Sequence, residues 1–369
     1  MATGWPMKVS YANGDVYSAS DVNDTNGTIN LLGASVAYAA GKNKIINGDF
    51  RVNQRSFTSN TTGGSFNFDR WLQVNSGTTG TLTTTPQTFT PGAAPIAGYE
   101  GSTFIQGITA AGVSADTLAL FQQRIEDVRT FAGQTVTFSF FAKATSGTPK
   151  IGLEMAQNFG TGGSPSATVQ TSLGAVTIST SWARYSLSVT VPSISGKTIG
   201  TTANSSYLTA SIWLSAGSDY AARASSIGLQ NNTFQIWGVQ VEAGSTATAF
   251  QTATGTIQGE LAACQRYYIK FNDSTNAVLA NGNARSTTGT NLLCNLPTSM
   301  RVRPTSLDFT SLQISDGVSN YAVTSLTSGL GTQSQQYLDA GVASGLTQFR
   351  PMYLQQNGST GYVAFSAEL

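Results

Sequence analysis

The sequence predicts an almost wholly β protein, a two-sheet antiparallel sandwich followed by a second, smaller β domain. Charged residues make up only 10% of the 369 residues, against about a quarter in an average soluble domain, so strong helix formers are few. Glycine is abundant, with 39 residues, and long Ser and Thr runs favour short strands joined by turns. Hydrophobic residues still make up 40%, which is enough to form a large core.

Several segments alternate apolar and polar residues with the period of a β-strand. The segment QTVTFSFFAKA places Val136, Phe138 and Phe140 on one face, and WARYSLSVTVP and YLTASIWLS alternate in the same way. Gly, Ser and Pro stretches separate these segments, as expected for an antiparallel sandwich. In FQIWGVQVE the apolar face changes over, which predicts a β-bulge near Gly238.

One segment after the sandwich has helical periodicity. An apolar stripe with spacings i, i+4, i+7 and i+11 runs along TIQGELAACQRYY, formed by Ile257, Leu261, Cys264 and Tyr268. We therefore predict a helix that links the sandwich to the last part of the chain. Short strand-like segments return after it, and they predict the second β domain.

Composition also excludes several classes of function. Histidine is absent, which removes Ser-His-Asp and Cys-His catalysis and the usual zinc sites. The net charge of +1 offers no basic field to nucleic acid or anionic lipid, and no apolar run of about 18 residues predicts a membrane span. The first residues lack the pattern of a secretory signal, so we expect no export by that route. Cys264 and Cys294 lack metal-site spacing and either form one disulfide or remain buried thiols.

The first 43 residues follow a different pattern. After Ser20, a suitable N-cap, a seam with heptad spacing runs through Val22, Thr25, Ile29, Leu32, Val36 and Ala39. It predicts a short oligomeric coiled coil that an assembly supports, because Gly27 and Gly33 weaken an isolated helix. The alternative is one amphipathic helix packed on its own domain. β-branched residues at a with Leu at d favour two strands over three.

Four motifs, in their order along the chain, resemble a recurrent module of bacteriophage virion proteins. They are INGDFRVNQR from Ile46, FDRW from Phe68, WGVQVEAGSTATAF from Trp237 and GELAACQRYY from Gly259. The leading segment WPMKVSYANGDVYSASDVNDTNGTINLL is similar to the start of phage structural proteins. Such modules occur in tail fibres, minor tail proteins and head fibres, often described as carrying a carbohydrate-binding-module-like jelly roll. The resemblance covers residues 1–270 and, more loosely, the rest.

The resemblance implies four parts: an N-terminal virion-anchoring segment with a short coiled coil (1–43), a jelly-roll domain (44–252), a helical linker (253–270) and a C-terminal β domain (271–369). It also implies that INGDF and WGVQVE are first and last strands lying side by side. In related carbohydrate-binding modules, acidic residues on these strands help to hold a structural calcium ion, and the matching candidates are Asp49, Glu242 and Asn47. The alternative is that Asp49 ends an Asn-Gly turn and Glu242 is a solvated strand end. We expect no other cofactor.

Sugar binding needs aromatic faces that stack on pyranose rings, together with amides and carboxylates that bind hydroxyl groups. Trp213 and Tyr207 lie on the polar side of YLTASIWLS, where a carbohydrate-binding face could form. The alternative is that Trp213 packs against a neighbouring subunit or a loop. Trp71, Trp182 and Trp237 are expected in the core.

The segment RIEDVR, from Arg124, is the densest charge cluster and contains adjacent carboxylates at Glu126 and Asp127. Neighbouring residues on a strand point to opposite sides, so these two would not face one substrate. We predict that the protein is not an enzyme.

The resemblance implies an oligomeric fibre in the virion, a trimer, that contacts other virion proteins through its N-terminal segment and attaches to host-surface glycans. The alternative is a head decoration, head-fibre or connector protein with a purely structural role. Neither reading includes nucleic-acid binding or membrane insertion. Trimerisation follows from the resemblance alone, since the heptad pattern favours two strands.

Overall fold

The computed structural model describes residues 41–77 and 80–369. The predicted coiled-coil seam through Val22, Ile29, Leu32 and Val36 lies outside these residues and stays a prediction. The described chain forms twenty strands, one α-helix and one short 3-10 helix, Ser218–Tyr220. The predicted all-β fold class is confirmed.

Two antiparallel sheets pack face to face in the first part. Their strands are β1 (Ser65–Phe66), β2 (Leu72–Ser76), β3 (Thr81–Thr88), β4 (Thr103–Ala110), β5 (Leu118–Glu126), β6 (Thr135–Ala144), β7 (Lys150–Asn158), β8 (Val169–Thr177), β9 (Ala183–Thr190), β10 (Tyr207–Ala216) and β11 (Asn232–Ala243). The six-stranded sheet has the order β1-β2-β5-β10-β7-β8, and the five-stranded sheet has the order β3-β4-β11-β6-β9.

The chain crosses between these sheets in the order of a jelly roll. Strands β4 to β7 alternate between the two sheets, β8 stays beside β7, and β9 to β11 alternate on the way back. The orders β4-β11-β6-β9 and β5-β10-β7-β8 are therefore the two four-stranded halves of a jelly roll. Strands β1, β2 and β3 extend both halves at the same edge.

The strand patterns of the sequence agree with the sandwich core. Phe138 of β6 and Leu208 of β10 are completely buried between the sheets, as their alternation predicts. The register of β11 shifts between Trp237 and Gln240, where Gly238 has a φ of +63°. The predicted β-bulge near Gly238 is confirmed.

The segment that opens the jelly roll lies along β11 without forming a strand. The main-chain N–H of Lys44 donates to the Val241 carbonyl, and the N–H of Val239 donates to the Gly48 carbonyl, both at 2.9 Å. The predicted closeness of the two segments is confirmed, whereas the predicted first strand is wrong. The reason is that the side chain of Asn43, rather than a second main-chain ladder, binds the N–H of Val241 and the carbonyl of Val239.

Gly48 lies where two backbones meet. A Cβ atom at this position would lie 2.2 Å from the carbonyl oxygen of Val239. A larger residue would push the turn away from β11, so the Asn-Gly-Asp sequence reflects a close backbone approach.

We expect Gly48→Ala to lower the free energy of unfolding by about 1–3 kcal/mol, because the added methyl group overpacks this contact. Gly329→Ala is the matched control, since a Cβ atom there would meet nothing within 4 Å. Urea unfolding of both variants measures the effect, and equal stability of the two would contradict the close approach.

Helix α1 (Ile257–Gln265) forms where helical periodicity predicts it. The side chain of Thr256 caps it by accepting a hydrogen bond from the N–H of Gly259 at 3.0 Å. The predicted apolar stripe is wrong, because Ile257 and Leu261 are exposed.

The buried face of α1 is instead carried by Glu260 and Cys264. Glu260 accepts hydrogen bonds from the main-chain N–H groups of Asn47 and Thr254, both at 2.7 Å. A carboxylate therefore holds the helix against the sandwich, in the role that periodicity assigned to aliphatic side chains.

The last part of the described chain forms a second β unit with its own core. Its strands are β12 (Tyr268–Phe271), β13 (Val278–Ala284), β14 (Thr290–Asn295), β15 (Ser306–Thr310), β16 (Leu312–Ser315), β17 (Asn320–Gly331), β18 (Gln335–Val342), β19 (Pro351–Gln356) and β20 (Tyr362–Ser366). Strands β13-β14-β18-β17-β16-β19 close into a barrel, and β12-β20-β15 form a three-stranded sheet. Leu292, Leu338 and Leu354 are completely buried in this core. The predicted second β domain is confirmed.

Both cysteines are free and buried, Cys264 in α1 and Cys294 in β14. Burial raises the pKa of the Cys294 thiol to about 12 and also raises the pKa of Cys264. Both thiols stay protonated at neutral pH, which makes them unreactive. Of the two predicted alternatives, the structure shows buried thiols.

Charged side chains concentrate where the second β unit meets the sandwich. We call this group the joint; it consists of Arg55, Arg70, Arg124, Glu126, Arg266, Arg301 and Glu368. Buried Arg70 forms an ion pair with Glu368, and its guanidinium lies 3.3 Å from the ring centroid of Tyr267. Arg266 binds Glu126 through two hydrogen bonds of 2.7 and 2.8 Å.

Three of the four motifs that carry the resemblance meet at the joint. INGDFRVNQR supplies Arg55, FDRW supplies Arg70, and GELAACQRYY supplies Arg266 and Tyr267. The fourth, on β11, binds the first motif through Val239. The order of these motifs therefore reflects how the two units are connected.

Asp69 is buried beside the joint. Its carboxylate accepts hydrogen bonds from the main-chain N–H of Gln54 at 2.6 Å and from the Gln54 side chain at 3.0 Å. Burial raises the pKa of Asp69 from 3.8 to about 6, although the charge of Arg55 opposes the change. The folded state thus retains a proton that the unfolded state releases, and the resulting stability is present at low pH and lost as the pH rises through about 6.

We expect the wild-type protein to gain about 1 kcal/mol of unfolding free energy relative to Asp69→Asn when the pH falls from 7 to 5. The amide of this variant does not titrate, so the variant lacks the contribution. Urea unfolding of both proteins across the pH range measures the difference. Asp127→Asn, at an exposed carboxylate, controls for the loss of one charge. A wild-type advantage that stays constant with pH would contradict the assignment.

Candidate functional site

The predicted carbohydrate-binding pair lies on the outer face of the six-stranded sheet, six residues apart along β10. Tyr207 is half-buried at the joint, where the guanidinium of Arg124 lies 4.9 Å from its ring centroid. Trp213 is completely buried. The structure does not bring the two rings together on an open surface.

Trp213 is covered by the segment between β10 and β11. Its indole N–H donates to Glu154 at 3.1 Å, and Arg223 binds the same carboxylate at 2.7 and 3.0 Å. The ring of Tyr220 lies 5.7 Å from the indole, centroid to centroid. The prediction of an exposed Trp213 is wrong, and the alternative of packing against a loop describes its position.

Two of the predicted metal ligands, Asn47 and Asp49, form hydrogen bonds or ion pairs with other groups of the protein. The Asn47 amide binds the main chain of Val52 and Asp69. Asp49 is ion-paired with Arg51 and accepts a hydrogen bond from the Tyr99 hydroxyl at 3.2 Å. Burial and the Asp49 charge both raise the pKa of Tyr99, so that hydroxyl keeps its proton.

Glu242, the third candidate, is bound elsewhere. Its oxygens accept hydrogen bonds from Gln240 and from the main chain and hydroxyl of Thr248, and Lys42 lies 3.3 Å away. Burial alone would raise its pKa, but these hydrogen bonds lower it below the ordinary value, so Glu242 is ionised and paired.

These three side chains do not fit one calcium site. One Asp49 oxygen alone among their oxygens is buried without a hydrogen-bond partner, whereas Ca²⁺ takes six to eight oxygen ligands. Within residues 41–77 and 80–369, no group of three or more His, Cys, Asp or Glu side chains is placed to hold a metal ion. Whether the protein binds calcium at all stays untested.

Glu126 and Asp127 line one cleft of about 310 Å³ together with Arg129. The expectation that they face opposite sides is wrong, because β5 ends at Glu126 and Asp127 turns with a φ of +66°. Burial alone would raise the pKa of Glu126, but hydrogen bonds from Arg266 and Tyr267 lower it. A glycosidase acid needs a raised pKa, so Glu126 does not fit that role.

The outer face of the five-stranded sheet has two halves. One half lies beneath segments 89–102 and 244–252 and contains a cluster of aromatic rings. Its members are Phe89, Tyr99, Phe104, Phe141, Trp182, Trp237 and Phe250. Trp237 lies at its centre, completely buried, with the Phe250 ring 5.1 Å away between centroids.

The other half of this face is open, and Trp182 lies at the boundary between the two halves. We call it the platform; it consists of Thr85, Gln106, Gln235, Lys143 and Trp182. All five side chains are partly exposed. A Cβ atom at Gly107 would meet Leu214 and Phe121 in the core, so its strand neighbour Gln106 points outward.

A row of amides crosses three strands of the platform. The side-chain N–H of Gln235 donates to the Gln106 oxygen at 2.8 Å, and the Gln106 amide donates to the Thr85 hydroxyl at 3.4 Å. These contacts fix the orientation of both amides. Each amide group has a second N–H that can donate to a ligand.

Trp182 stands at the opposite edge of the platform. Its ring packs edge-on against Phe104, with centroids 5.4 Å apart and planes at 84°. The ammonium group of Lys143 lies 5.5 Å from the Trp182 ring centroid. Five strands at spacings of about 4.8 Å give the face a width of about 19 Å, which suits an oligomeric ligand better than a single small molecule.

Sequence patterns alone do not indicate the platform. The sequence predicts Trp182 in the core. However, it lies two residues before Arg184, which is on the polar face of β9, and alternate residues of a strand face the same side. This alternation places Trp182 on the outer face of the sheet. Gln106 and Gln235 gave no signal, because only the strand order brings β4 and β11 side by side.

Comparisons with known proteins give fold-level similarity only. No family model and no curated protein matches the chain. One structure, described as "CBM4 structure and function", is 18% identical, with 54% of this chain and 99% of that chain covered and a TM-score of 0.30. The CBM22-2 xylan-binding domain of Paenibacillus barcinonensis Xyn10C is 15% identical, with 48% and 94% covered and a TM-score of 0.30.

The tandem CBM22-1–CBM22-2 structure from the same organism is 10% identical and covers 90% of this chain and 99% of that one, at a TM-score of 0.30. Similarities at this level carry no functional argument, and the jelly-roll assignment rests on the strand order.

In the described part of the chain, every helix is too short or too polar to cross a membrane.

Proposed function

We propose that the protein binds glycans through the platform on its five-stranded sheet. The observation that carries this proposal is the amide row beside a partly exposed indole on an open sheet face. Amides and hydroxyls donate to and accept from sugar hydroxyls, and an indole stacks on the apolar face of a pyranose ring. The face is rigid because four of its five residues stand on paired strands and Trp182 directly precedes β9.

We expect Trp182→Ala to weaken glycan binding at least about fivefold, because stacking on an indole supplies about 1 kcal/mol or more. Gln235→Ala removes one end of the amide row and should weaken binding as well. A glycan array followed by calorimetry on the best ligands measures both effects. Tyr353→Ala, at an exposed aromatic residue of the barrel, is the control and should bind normally. Unchanged binding in both platform variants would contradict the proposal.

We further propose that this glycan-binding chain is a component of a bacteriophage virion. The ordered motifs that resemble virion modules support the proposal, and the low charge of the chain suits a protein that assembles. In this proposal the N-terminal segment binds other virion proteins and brings several copies together as a trimer. Individually weak sugar contacts then add up through many copies.

A purely structural role is the second candidate. The joint fixes the two β units to each other through the buried ion pair of Arg70 and Glu368 and a hydrogen bond from Arg301 to the Asn204 carbonyl, as a decoration or connector protein would need. In that case the platform would contact a neighbouring virion protein, and the chain would be a head decoration, head fibre or connector.

Immunogold labelling of phage particles that encode this chain tests the virion proposal, with antibody raised against the whole chain. We expect gold at the tail or its fibres if the chain attaches the particle to glycans of the host. Gold spread over the head would favour the structural role. Particles without gold, under conditions in which the antibody recognises the purified protein, would contradict the virion assignment.

A further inference from the structure

We propose that the platform selects acidic glycans, with Lys143 as the residue that recognises the sugar carboxylate. This inference rests on the proposed glycan-binding function. The observation behind it is an ammonium group placed beside the one partly exposed indole of the platform, at 5.5 Å from the ring centroid. A uronic or sialic acid stacked on Trp182 would bring its carboxylate next to Lys143.

The five-stranded sheet is otherwise nearly free of charge. Strands β3 and β4 contain no charged residue, and β6, β9 and β11 contain one each: Lys143, Arg184 and Glu242. Arg184 binds Ser139 and the main chain of Thr248 at the covered half of the face. Glu242 lies seven residues along β11 from Gln235 and is bound by Lys42.

Lys143 is therefore the cation that the platform offers to a ligand. Among the described residues, no Asp or Glu forms an ion pair with it, although most arginines of the chain have a carboxylate partner. Its aliphatic stem lies beside Trp182 and its ammonium group is held over the ring. A neutral sugar uses the indole and the amides but leaves this charge unpaired, whereas an acidic sugar pairs with it.

The test compares acidic glycans with their own carboxyl-reduced forms. The probes are an array of oligosaccharides containing uronic or sialic acids, each with a counterpart in which the carboxyl group is reduced to an alcohol. Stereochemistry is the same within a pair, so any difference in affinity reports the carboxylate. We expect the acidic form to bind about five to ten times more tightly at low ionic strength, and the ratio to fall as salt is added.

Lys143→Met keeps an apolar stem on the indole and removes the charge. We expect it to lower the affinity for the acidic form to that of the reduced form, and to leave the reduced form unchanged. Lys150→Met, at an exposed lysine of the other sheet, is the matched control and should keep the preference.

Two outcomes separate this inference from the function on which it rests. If both members of each pair bind equally well and Trp182→Ala weakens both, the platform binds glycans and the selectivity is overturned. If no member binds, or binding is insensitive to Trp182→Ala, the proposed function itself fails. A preference for acidic glycans that survives Lys143→Met would place the carboxylate at another residue and overturn the role of Lys143.

Discussion

The turn at Asn47 and Gly48 is the constraint on which the rest of the structure depends. The Asn47 N–H donates to Glu260 of α1, and its carbonyl accepts the indole N–H of Trp71 at 2.9 Å. Gly48 binds Val239 of β11 so closely that a side chain is excluded. One turn thus positions the edge of the six-stranded sheet, the centre of the five-stranded sheet and the helix that leads to the second unit. Each buried group left without its partner would cost about 1–3 kcal/mol.

The few charged residues of the chain affect both the joint between the units and the faces of the sheets. The chain has 19 basic and 18 acidic side chains, and five of the basic and two of the acidic ones lie at the joint, where the two β units meet. Removing one partner from a buried pair such as Arg70 and Glu368 costs about 3–5 kcal/mol, so the joint favours one arrangement of the units. The sheet faces are left with amides, hydroxyls and rings. A single lysine on such a face meets little competing charge.

The sequence predicts strands well where one face of the strand is buried and fails where tertiary hydrogen bonds replace regular pairing. The strands β6, β9 and β10 and the bulge at Gly238 follow directly from apolar alternation. The first segment fails because the Asn43 side chain substitutes for strand pairing, and the α1 stripe fails because a buried carboxylate, Glu260, has partners on the sandwich. The candidate site was invisible because its residues come from separate strands that only the jelly-roll order brings together.

The two outer faces of the sandwich differ in a way that assigns binding to one of them. On the six-stranded sheet, the segment around Tyr220 and Arg223 covers Trp213, and Glu154 satisfies both the indole and the guanidinium. That indole could reach a ligand only if an ion pair broke. On the five-stranded sheet, the covering segments leave Trp182 partly exposed, although its ring lies 5.5 Å from that of Phe89, between centroids, and packs edge-on against Phe104. A ligand there displaces solvent rather than protein, so recognition needs no rearrangement of the fold.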